Sequence, residues 1–499
     1  MANKIFSHAF SALLALSAIT ANVHGQTLTD LIKDTEIREG CIISLAVADA
    51  GGNTLAEWNA DYPMVPASTM KTVTTGLALQ ELGSGFRFRT SIAYSGYTDS
   101  LGTLHGDLYI IGGADPTLAS TRKKQDSLFN IWGNAVKSAG IDSIAGSIIG
   151  DAGFFPDEMA PGSWEWGDLG TYYGAGASGL SFHENSISIR IIPAEKTGQR
   201  PYAEQIYPET PWMHIDNLST TGPRWSPNTI LLYTSELCPV AEIRGSYPIN
   251  GGINIEECCN KYPAMTCAYH FDRYLAANGI NSLSGPMDTG RFTTRDPSEF
   301  ADRDSLHYII TTYSESLSSI VAKTNMESNN MYAETLFKMT GLQTGGSASY
   351  ETAIKTAGKL LDEMGIDTKG YRQTDGSGLS RQNLVSARFL STFLSKAAAG
   401  PEGDAFIESL PVPGHEGTLK HVLKDVKPEY SSRIRAKSGS MSGVRCYAGY
   451  IFPDNRKKPV SFALMSNNHA GKGSDMQKAI EEILKALLAE LMPGKSIVL

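Results

Sequence analysis

Three short polar stretches of this chain could together carry out acyl transfer at a serine. Ser68 precedes Lys71 by three residues, residues 328–330 read Ser-Asn-Asn, and residues 437–439 read Lys-Ser-Gly. They supply a hydroxyl nucleophile, two amino groups that can take up or return its proton, and a further hydroxyl and amide that can relay the proton or position a substrate. This set is typical of serine enzymes in which lysine replaces histidine as the base.

Similar stretches occur elsewhere in the chain without a supporting context. Ser120 and Lys123 repeat the serine–lysine spacing inside a polar run, which predicts a solvated loop. Residues 196–198 read Lys-Thr-Gly but precede the Ser-Asn-Asn stretch, and residues 226–228 contain a proline that indicates a turn. Because short motifs match by chance, the surrounding elements must distinguish the candidates.

Ser68 stands at the start of a predicted helix. Val73 and Leu77 follow the helical period, and Gly83 ends the pattern. One helical turn places Lys71 beside Ser68. The helix dipole and burial would both lower the pKa of the lysine, as a general base near neutral pH requires. The alternative is a helix-capping serine beside a surface lysine.

The other two stretches lie in different predicted elements. Residues 328–330 lead into a helix, so Ser328 and Asn330 either serve the site or only cap that helix. Residues 437–439 lie on a strand that is joined by residues 440–443 to a second strand, and Gly439 would let a substrate backbone lie alongside. The alternative for this stretch is a polar hairpin at a strand end.

The sequence separations indicate an interrupted catalytic domain. Ser328 lies 260 residues (328 − 68) after Ser68, whereas Lys437 lies only 109 residues (437 − 328) after Ser328. Since all three stretches must meet in one cleft, the longer interval holds inserted chain. We therefore predict a split catalytic domain over residues 26–85 and 309–499, and a strand-rich inserted region of two domains over residues 86–308.

The remaining patterns predict a multi-domain α/β fold. Strands are predicted over residues 41–48, 460–465 and twice within 433–452, and an amphipathic helix over residues 476–491. These elements suggest an antiparallel sheet flanked by helices. A chain of 499 residues with 41% hydrophobic content can bury more than one core.

Charge and export signals narrow the class of protein. The net charge of -9, with acids and bases interspersed, argues against nucleic acid and anionic lipid as partners. Residues 1–25 have the pattern of a signal peptide, no cysteine follows it directly, and no later stretch reaches the ~20 apolar residues of a membrane span. The mature protein is expected in the periplasm, either soluble or loosely attached to an envelope surface.

The six cysteines have no metal-ligand spacing, and no metal or cofactor is predicted. Four of them fall between Cys238 and Cys267, so one local disulfide is expected there if the protein is exported, with its connectivity left open. Cys41 and Cys446 lie in apolar strand-like runs and are predicted to be buried thiols.

The three polar stretches at residues 68–71, 328–330 and 437–439 resemble motifs of a family of penicillin-binding proteins. This is the D-alanyl-D-alanine carboxypeptidase/endopeptidase family of low-molecular-mass class C, peptidase family S13. The likeness covers nearly the whole mature chain, and the chain departs from the pattern at Ser438, where the family usually has threonine. The resemblance implies a β-lactamase/transpeptidase-like domain split by two inserted domains. Further segments that resemble the family are residues 106–118, 164–168, 172–175, 375–380 and 417–419.

The resemblance also implies roles for the candidate residues. Ser68 would attack a D-alanyl peptide bond of a peptidoglycan stem peptide while Lys71 takes its proton. Ser328 and Lys437 would pass a proton to the leaving amine, and Asn330 would hold the substrate amide and Lys71. A β-lactam would acylate the same serine.

Substrate contacts are implied for a second group of residues. Lys437 and Ser438 would bind the terminal carboxylate, and the backbone N–H groups of Ser68 and Ser440 would form the oxyanion hole. Asp168 would meet the amino end of the stem-peptide side chain, unless it only caps a loop beside Trp166. The candidate substrate-binding residues are Ser438, Gly439, Ser440, Asp168, Met441 and Ser442.

Two other functions use the same residues. A β-lactamase would share the serine and lysine chemistry but would also need rapid deacylation. A catalytically idle scaffold that binds peptidoglycan would not need the nucleophile and both lysines, all of which are intact here.

Overall fold

The structure is a computed structural model that describes residues 27–156, 158–453 and 458–498, so the predicted signal peptide lies outside the described residues. The helices are α1 (Leu28–Glu39), α2 (Met70–Leu82), α3 (Arg122–Ser138), α4 (Pro263–Ala277), α5 (Leu317–Glu327), α6 (Asn330–Gly345), α7 (Tyr350–Glu363), α8 (Ala387–Ala399), α9 (Gly403–Glu408), α10 (Pro428–Ser431) and α11 (Gly473–Leu491). None of these described helices is long and apolar enough to cross a bilayer.

The strands alternate with these helices along the chain. They are β1 (Ile42–Ala48), β2 (Thr54–Trp58), β3 (Arg89–Tyr94), β4 (Tyr97–Thr98), β5 (Thr103–His105), β6 (Leu108–Gly113), β7 (Ser143–Ile144), β8 (Ile148–Asp151), β9 (Ser186–Ile192), β10 (Tyr202–Tyr207), β11 (His214–Asn217), β12 (Thr220–Gly222), β13 (Leu231–Ser235), β14 (Cys238–Arg244), β15 (Ser246–Pro248), β16 (Asn254–Cys259), β17 (Asn281–Ser282), β18 (Pro286–Asp288), β19 (His307–Tyr313), β20 (Ile434–Met441), β21 (Val444–Ile451) and β22 (Val460–Asn467).

One five-stranded antiparallel sheet joins the two ends of the chain. Its order is β2-β1-β22-β21-β20, which leaves β20 at an edge. Alternating residues of β22 face opposite cores: Phe462 and Leu464 belong to the core with α1 and α11, whereas Ala463 and Met465 belong to the core with α2, α6 and α8. A sheet between two helical layers confirms the predicted α/β fold class.

A second five-stranded sheet, β18-β8-β6-β3-β19, lies mostly in the predicted inserted region. Helices α3 and α4 pack on it through large apolar side chains such as Phe129, Trp132 and Phe271. These two helices have no clear signal in the sequence, and the predicted loop at Lys123 is wrong because α3 begins at Arg122. The sequence around Lys123 is polar because the first turn of α3 is exposed, and the apolar face of α3 starts only further along the helix.

Four smaller sheets complete the region between β3 and β19, with the orders β10-β9-β16, β11-β14-β13, β12-β15 and β17-β7-β5-β4. The predicted domain boundary between residues 308 and 309 falls within β19, which pairs with β3. The division of the chain into domains stays a prediction.

All six cysteines are free thiols, so the predicted local disulfide is wrong for this structure. Cys258, Cys259 and Cys267 are buried in three different hydrophobic cores, and Cys238 is exposed. Cys446 is buried as predicted, whereas Cys41 is only partly buried.

Candidate active site

Ser68 lies in a single 3-10 turn, Ala67–Thr69, that leads into α2. The turn is closed by the Thr69 hydroxyl, which donates a hydrogen bond to the Pro66 carbonyl at 2.7 Å. The residue that caps α2 is Thr69, and its side chain makes no capping hydrogen bond. Ser68 is therefore not a helix cap, and its hydroxyl remains available for another contact.

Lys71 is fully buried, which excludes the alternative of a surface lysine. Its Nζ donates hydrogen bonds to Ser68 Oγ at 3.1 Å, Asn330 Oδ1 at 2.6 Å and the Ser377 carbonyl at 2.7 Å. Burial lowers the pKa of Lys71 to about 7, against the opposing effect of the nearby Glu334 and Asp375 carboxylates. A lysine with this pKa can act as a base near neutral pH.

Two buried carboxylates lie close to this lysine, and the sequence analysis left both out of the site. Glu334 accepts hydrogen bonds from the N–H groups of Gly376 (2.8 Å) and Ser377 (2.7 Å), and Asp375 accepts one from Ser380 N–H (2.6 Å). Burial raises the pKa of both carboxyls, and that of Glu334 to about 7. They hold the turn whose Ser377 carbonyl contacts Lys71.

A sequence signal for this pair existed. Glu334 follows Asn330 by four residues and so lies on the same face of α6. The segment over residues 375–380 resembled the family, yet its glycines also fit an ordinary turn. The structure shows that these glycines serve packing: at Gly378 (φ 80°) a Cβ would lie 1.9 Å from the Ala67 carbonyl oxygen, beside the Ser68 turn.

The Ser-Asn-Asn stretch joins α5 to α6. Ser328 ends α5 in a left-handed conformation (φ 59°), and the Asn329 side chain caps α6 by accepting from Tyr332 N–H. Asn330 has a different role, because it accepts from Lys71 and donates through Nδ2 to the Tyr173 carbonyl at 2.9 Å. The capping alternative is thus wrong for Asn330, because the residue that caps α6 is Asn329, whereas Ser328 is the C-cap of α5.

The Lys-Ser-Gly stretch lies on the edge strand β20. Lys437 is fully buried, and its Nζ donates to the Ser438 carbonyl at 2.7 Å. Burial, and next the charge of Lys71, lower the pKa of Lys437 well below its usual value. The amino groups of Lys71 and Lys437 therefore lie close enough for their positive charges to repel each other.

Gly439 brings β20 against the turn that carries Ser68. A Cβ at this position would lie 2.7 Å from the Pro66 carbonyl oxygen and 3.0 Å from Ser68 N. The sequence predicts that this glycine makes room for a substrate backbone, whereas in the structure it makes room for the turn that carries Ser68. The strand continues to Met441, so the turn to β21 is shorter than predicted.

A cavity of about 910 Å³ brings the candidate residues of all three stretches together. Among the described residues that line it, none comes from the similar stretches near residues 120, 197 and 227. Lys71, Lys437 and Gly439 are buried and do not form part of the lining. The candidate residues on the cavity wall are Ser68, Ser328, Asn330, Ser438, Ser440, Asp168, Met441 and Ser442.

Asp168 lies on the cavity wall beside Glu165 and Arg381. Its carboxylate accepts a hydrogen bond from Tyr173 Oη at 3.3 Å, while the contacts that close the local turn come from its backbone carbonyl and Thr171. Burial raises the pKa of Asp168, and the charge of Glu165 adds to the effect. The side chain therefore does not act as the loop cap that we considered as an alternative.

Arg381 was missed by the sequence analysis, since no motif marks it. Its guanidinium donates to Glu165 Oε1 at 3.0 Å and to the Ser442 carbonyl at 3.1 Å. It thereby connects the turn after β20 with the wall that carries Asp168.

A serine hydroxyl that contacts a buried lysine of near-neutral pKa, beside a second buried lysine on an edge strand, is the geometry of a lysine-assisted serine acyl-transfer site. Comparison with known proteins agrees with this class. The chain belongs to the D-Ala-D-Ala carboxypeptidase 3 (S13) family, whose model matches residues 25–490, and this confirms the family predicted from the sequence.

Individual relatives span nearly the whole chain. A D-alanyl-D-alanine carboxypeptidase of Actinomadura sp. (strain R39) is 27% identical over 496 residues, which cover 96% of this chain and 88% of the relative. The crystal structure of penicillin binding protein 4 (dacB) from Haemophilus influenzae matches with a TM-score of 0.77 at 20% identity, covering 92% of this chain and 99% of that one. A crystal structure of the same protein complexed with a β-lactam matches with a TM-score of 0.71 at 19% identity, with the same coverage. These likenesses to solved structures show the fold.

Substitution of Gly439 tests the close approach of β20. In Gly439→Ala the new methyl group must push the strand away from the Ser68 turn, so we expect acylation by a fluorescent penicillin to slow by about tenfold to hundredfold. The control is Gly358→Ala on α7, where a Cβ would meet nothing within 4 Å. Equal labelling rates for the two variants would show that the contact does not control the site.

Proposed function

We propose that this protein is a serine-type D-alanyl-D-alanine carboxypeptidase, D,D-endopeptidase or both, which acts on peptidoglycan stem peptides through an acyl-enzyme on Ser68. The contact between the buried Lys71 Nζ and Ser68 Oγ, at 3.1 Å, is the observation that carries the proposal. Membership of the S13 family supports the substrate class.

In the proposed reaction, Lys71 takes the proton of Ser68 as Oγ attacks the carbonyl carbon of the D-alanyl bond. The backbone N–H groups of Ser68 and Ser440 would stabilise the negative charge that develops on the carbonyl oxygen. Cleavage of the C–N bond releases the amine, which receives a proton through Ser328 and Lys437. Water then hydrolyses the ester and regenerates the serine.

The interaction between the charges of the two lysines supports a role for both in proton transfer. The charge of Lys71 lowers the pKa of Lys437, so protonation of one amine disfavours protonation of the other. When Lys71 takes the serine proton, a proton on Lys437 becomes easier to release. This coupling favours transfer of a proton from the nucleophile side of the site to the leaving group.

The edge position of β20 supports the proposed substrate contacts. An edge strand has a row of backbone groups free for an extended peptide, and Ser438 and Ser440 face the cavity from this strand. Ser438, on the cavity wall, would receive the terminal carboxylate, with Lys437 buried behind it and Gly439 beside the Ser68 turn. Asp168, Met441 and Ser442 would contact the amino end of the stem-peptide side chain.

A β-lactam would react at the same serine, because its strained amide takes the place of the D-alanyl bond. The H. influenzae protein with the same fold has been solved in complex with a β-lactam. We further propose a periplasmic location, on the basis of the signal-peptide pattern over residues 1–25, and a catalytic domain that is interrupted by the inserted region.

Two substrates and one variant test the function directly. We expect the wild-type protein to release D-alanine from a pentapeptide that ends in D-Ala-D-Ala, to cleave crosslinked muropeptide dimers, or both. Ser68→Ala should lose both activities and all labelling by a fluorescent penicillin, because no other nucleophile contacts Lys71 through a side chain among the described residues. Labelling of Ser68→Ala, or a folded wild-type protein without label, would contradict the site assignment. Rapid turnover of the penicillin would favour a β-lactamase instead.

The pH dependence of acylation follows from the Lys71 pKa. Only the neutral amine can accept the serine proton, and burial lowers the pKa of Lys71 to about 7. The acylation rate should therefore rise as the pH increases through about 7 and level off above it. Stopped-flow labelling with penicillin from pH 5 to 9 measures this midpoint, and a rate that is flat over the range would exclude Lys71 as the base.

Glu334→Gln should move this midpoint to lower pH. The Glu334 carboxylate raises the pKa of Lys71, so removal of its charge lets burial lower that pKa further. The control is Glu490→Gln on α11, since burial also raises the pKa of Glu490 to about 7 but this carboxyl does not contribute to the shift of Lys71. An unchanged midpoint in Glu334→Gln, or an equal shift in the control, would show that the charge of Glu334 does not raise the pKa of Lys71.

A further inference from the structure

A strained turn in the inserted region lies directly before β9. His183, Glu184 and Asn185 have φ angles of 51°, 52° and 52°, all in the left-handed region. Residues other than glycine adopt this conformation at a cost, so three in succession require support from their surroundings.

Asn185 supplies that support. Its side chain is fully buried, accepts a hydrogen bond from Phe182 N–H at 3.1 Å, and donates through Nδ2 to the Gly176 carbonyl at 3.1 Å. Its own carbonyl accepts from Asn260 N–H at 2.7 Å. The turn is thus held in one shape by parts of the chain that precede and follow it.

The strained turn directs the Glu184 side chain away from the inserted region. Oε1 accepts hydrogen bonds from Lys323 Nζ on α5 at 2.5 Å and from Tyr332 Oη on α6 at 2.8 Å. Oε2 accepts from Asn329 Nδ2 at 3.1 Å. One carboxylate therefore contacts both helices that flank the Ser-Asn-Asn stretch and the middle residue of that stretch.

Glu184 and Asn329 both line the cavity themselves, and Asn329 transmits the contact to its neighbours in the loop. Its Oδ1 accepts from Tyr332 N–H at 3.0 Å, while its Nδ2 is held by Glu184, so the side chain can adopt only one orientation. Its two neighbours are Ser328, on the cavity wall, and Asn330, which contacts Lys71. Displacement of Asn329 would move both of them.

We propose that Glu184 is a positioning residue for the active site: the inserted region uses it to fix the Ser328–Asn330 loop through Asn329, Tyr332 and Lys323. Lys323 balances the charge of the carboxylate, and Glu184 does not contact the nucleophile or Lys71. Through this one residue the inserted region helps to position the groups of the active site. The inference rests on the proposed function, because penicillin acylation is its readout.

The test compares acylation by a fluorescent penicillin in variants of the full chain. In Glu184→Ala, the rate at saturating penicillin should fall by about tenfold or more, because the loop loses its fixed position. The pH midpoint should stay at the wild-type value, since the burial of Lys71 and the charges of Glu334 and Asp375, which set its pKa, do not depend on Glu184. Glu184→Gln keeps one acceptor oxygen for Tyr332 and Lys323 and should recover part of the rate. If Glu184→Ala does not fold, the acylation rate of Glu184→Gln is compared with that of the wild-type protein instead.

A double-mutant cycle tests the route through Asn329. If Glu184 acts through this side chain, Asn329→Ala should slow acylation by itself, and the double variant should be no slower than the slower single variant. Losses that multiply in the double variant would overturn the proposed route.

The matched control removes the charge of another ion pair of the inserted region. Asp107 binds Arg295 in a bidentate pair, 2.5 Å and 2.9 Å, and neither residue lines the cavity. Asp107→Asn should keep the wild-type acylation rate. An equal loss in Asp107→Asn and Glu184→Gln, or a wild-type rate in Glu184→Ala, would overturn the inference. A folded wild-type protein that takes no label would overturn the proposed function and this inference with it.

Discussion

The site depends on the burial of one amine. Lys71 loses its hydration in the core, and a buried amino group without partners is costly, so its hydrogen bonds must come from the protein itself. The three acceptors belong to residues 68, 330 and 377, which lie far apart in sequence. The packing that satisfies the lysine is therefore the same packing that assembles the site. The near-neutral pKa follows from the same desolvation, so stability and reactivity have a common physical origin.

The rest of the structure is arranged around this contact. Gly439 allows the edge strand to touch the Ser68 turn, and Gly378 allows the turn after Asp375 to approach from another side. The region between β3 and β19 supplies further hydrogen bonds: the Tyr173 carbonyl holds Asn330, and Trp164 Nε1 donates to the Asp375 carboxylate at 2.9 Å. The proposed role of Glu184 extends this pattern. Chain that separates the first two motifs in sequence thus contacts the buried groups at which they meet.

Periodicity predicted the catalytic elements well because their apolar patterns are strong. The helix after Ser68, the strands around Lys437 and the C-terminal helix were all identified, with shifts of a few residues at their ends. Helices α3 and α4 were missed because one begins with a polar turn and the other lies in a stretch rich in proline and cysteine, where local composition favours loops. The disulfide was predicted wrongly because nearness in sequence does not reveal that Cys258 and Cys267 belong to different cores.

By itself, the sequence determined the family, the order of the motifs and the proposal of Ser68 as nucleophile with Lys71 and Lys437, because these depend on residue type and spacing. Only the tertiary structure decided which polar groups meet: that Asn330 contacts Lys71 while Asn329 caps α6, that Glu334 and Asp375 influence the pKa of the lysine, and that Gly439 contacts the nucleophile turn. The physical reason is that burial and hydrogen-bond partners arise from residues hundreds of positions apart. A pKa or a close backbone approach is a property of that three-dimensional environment and has no local signature in the chain.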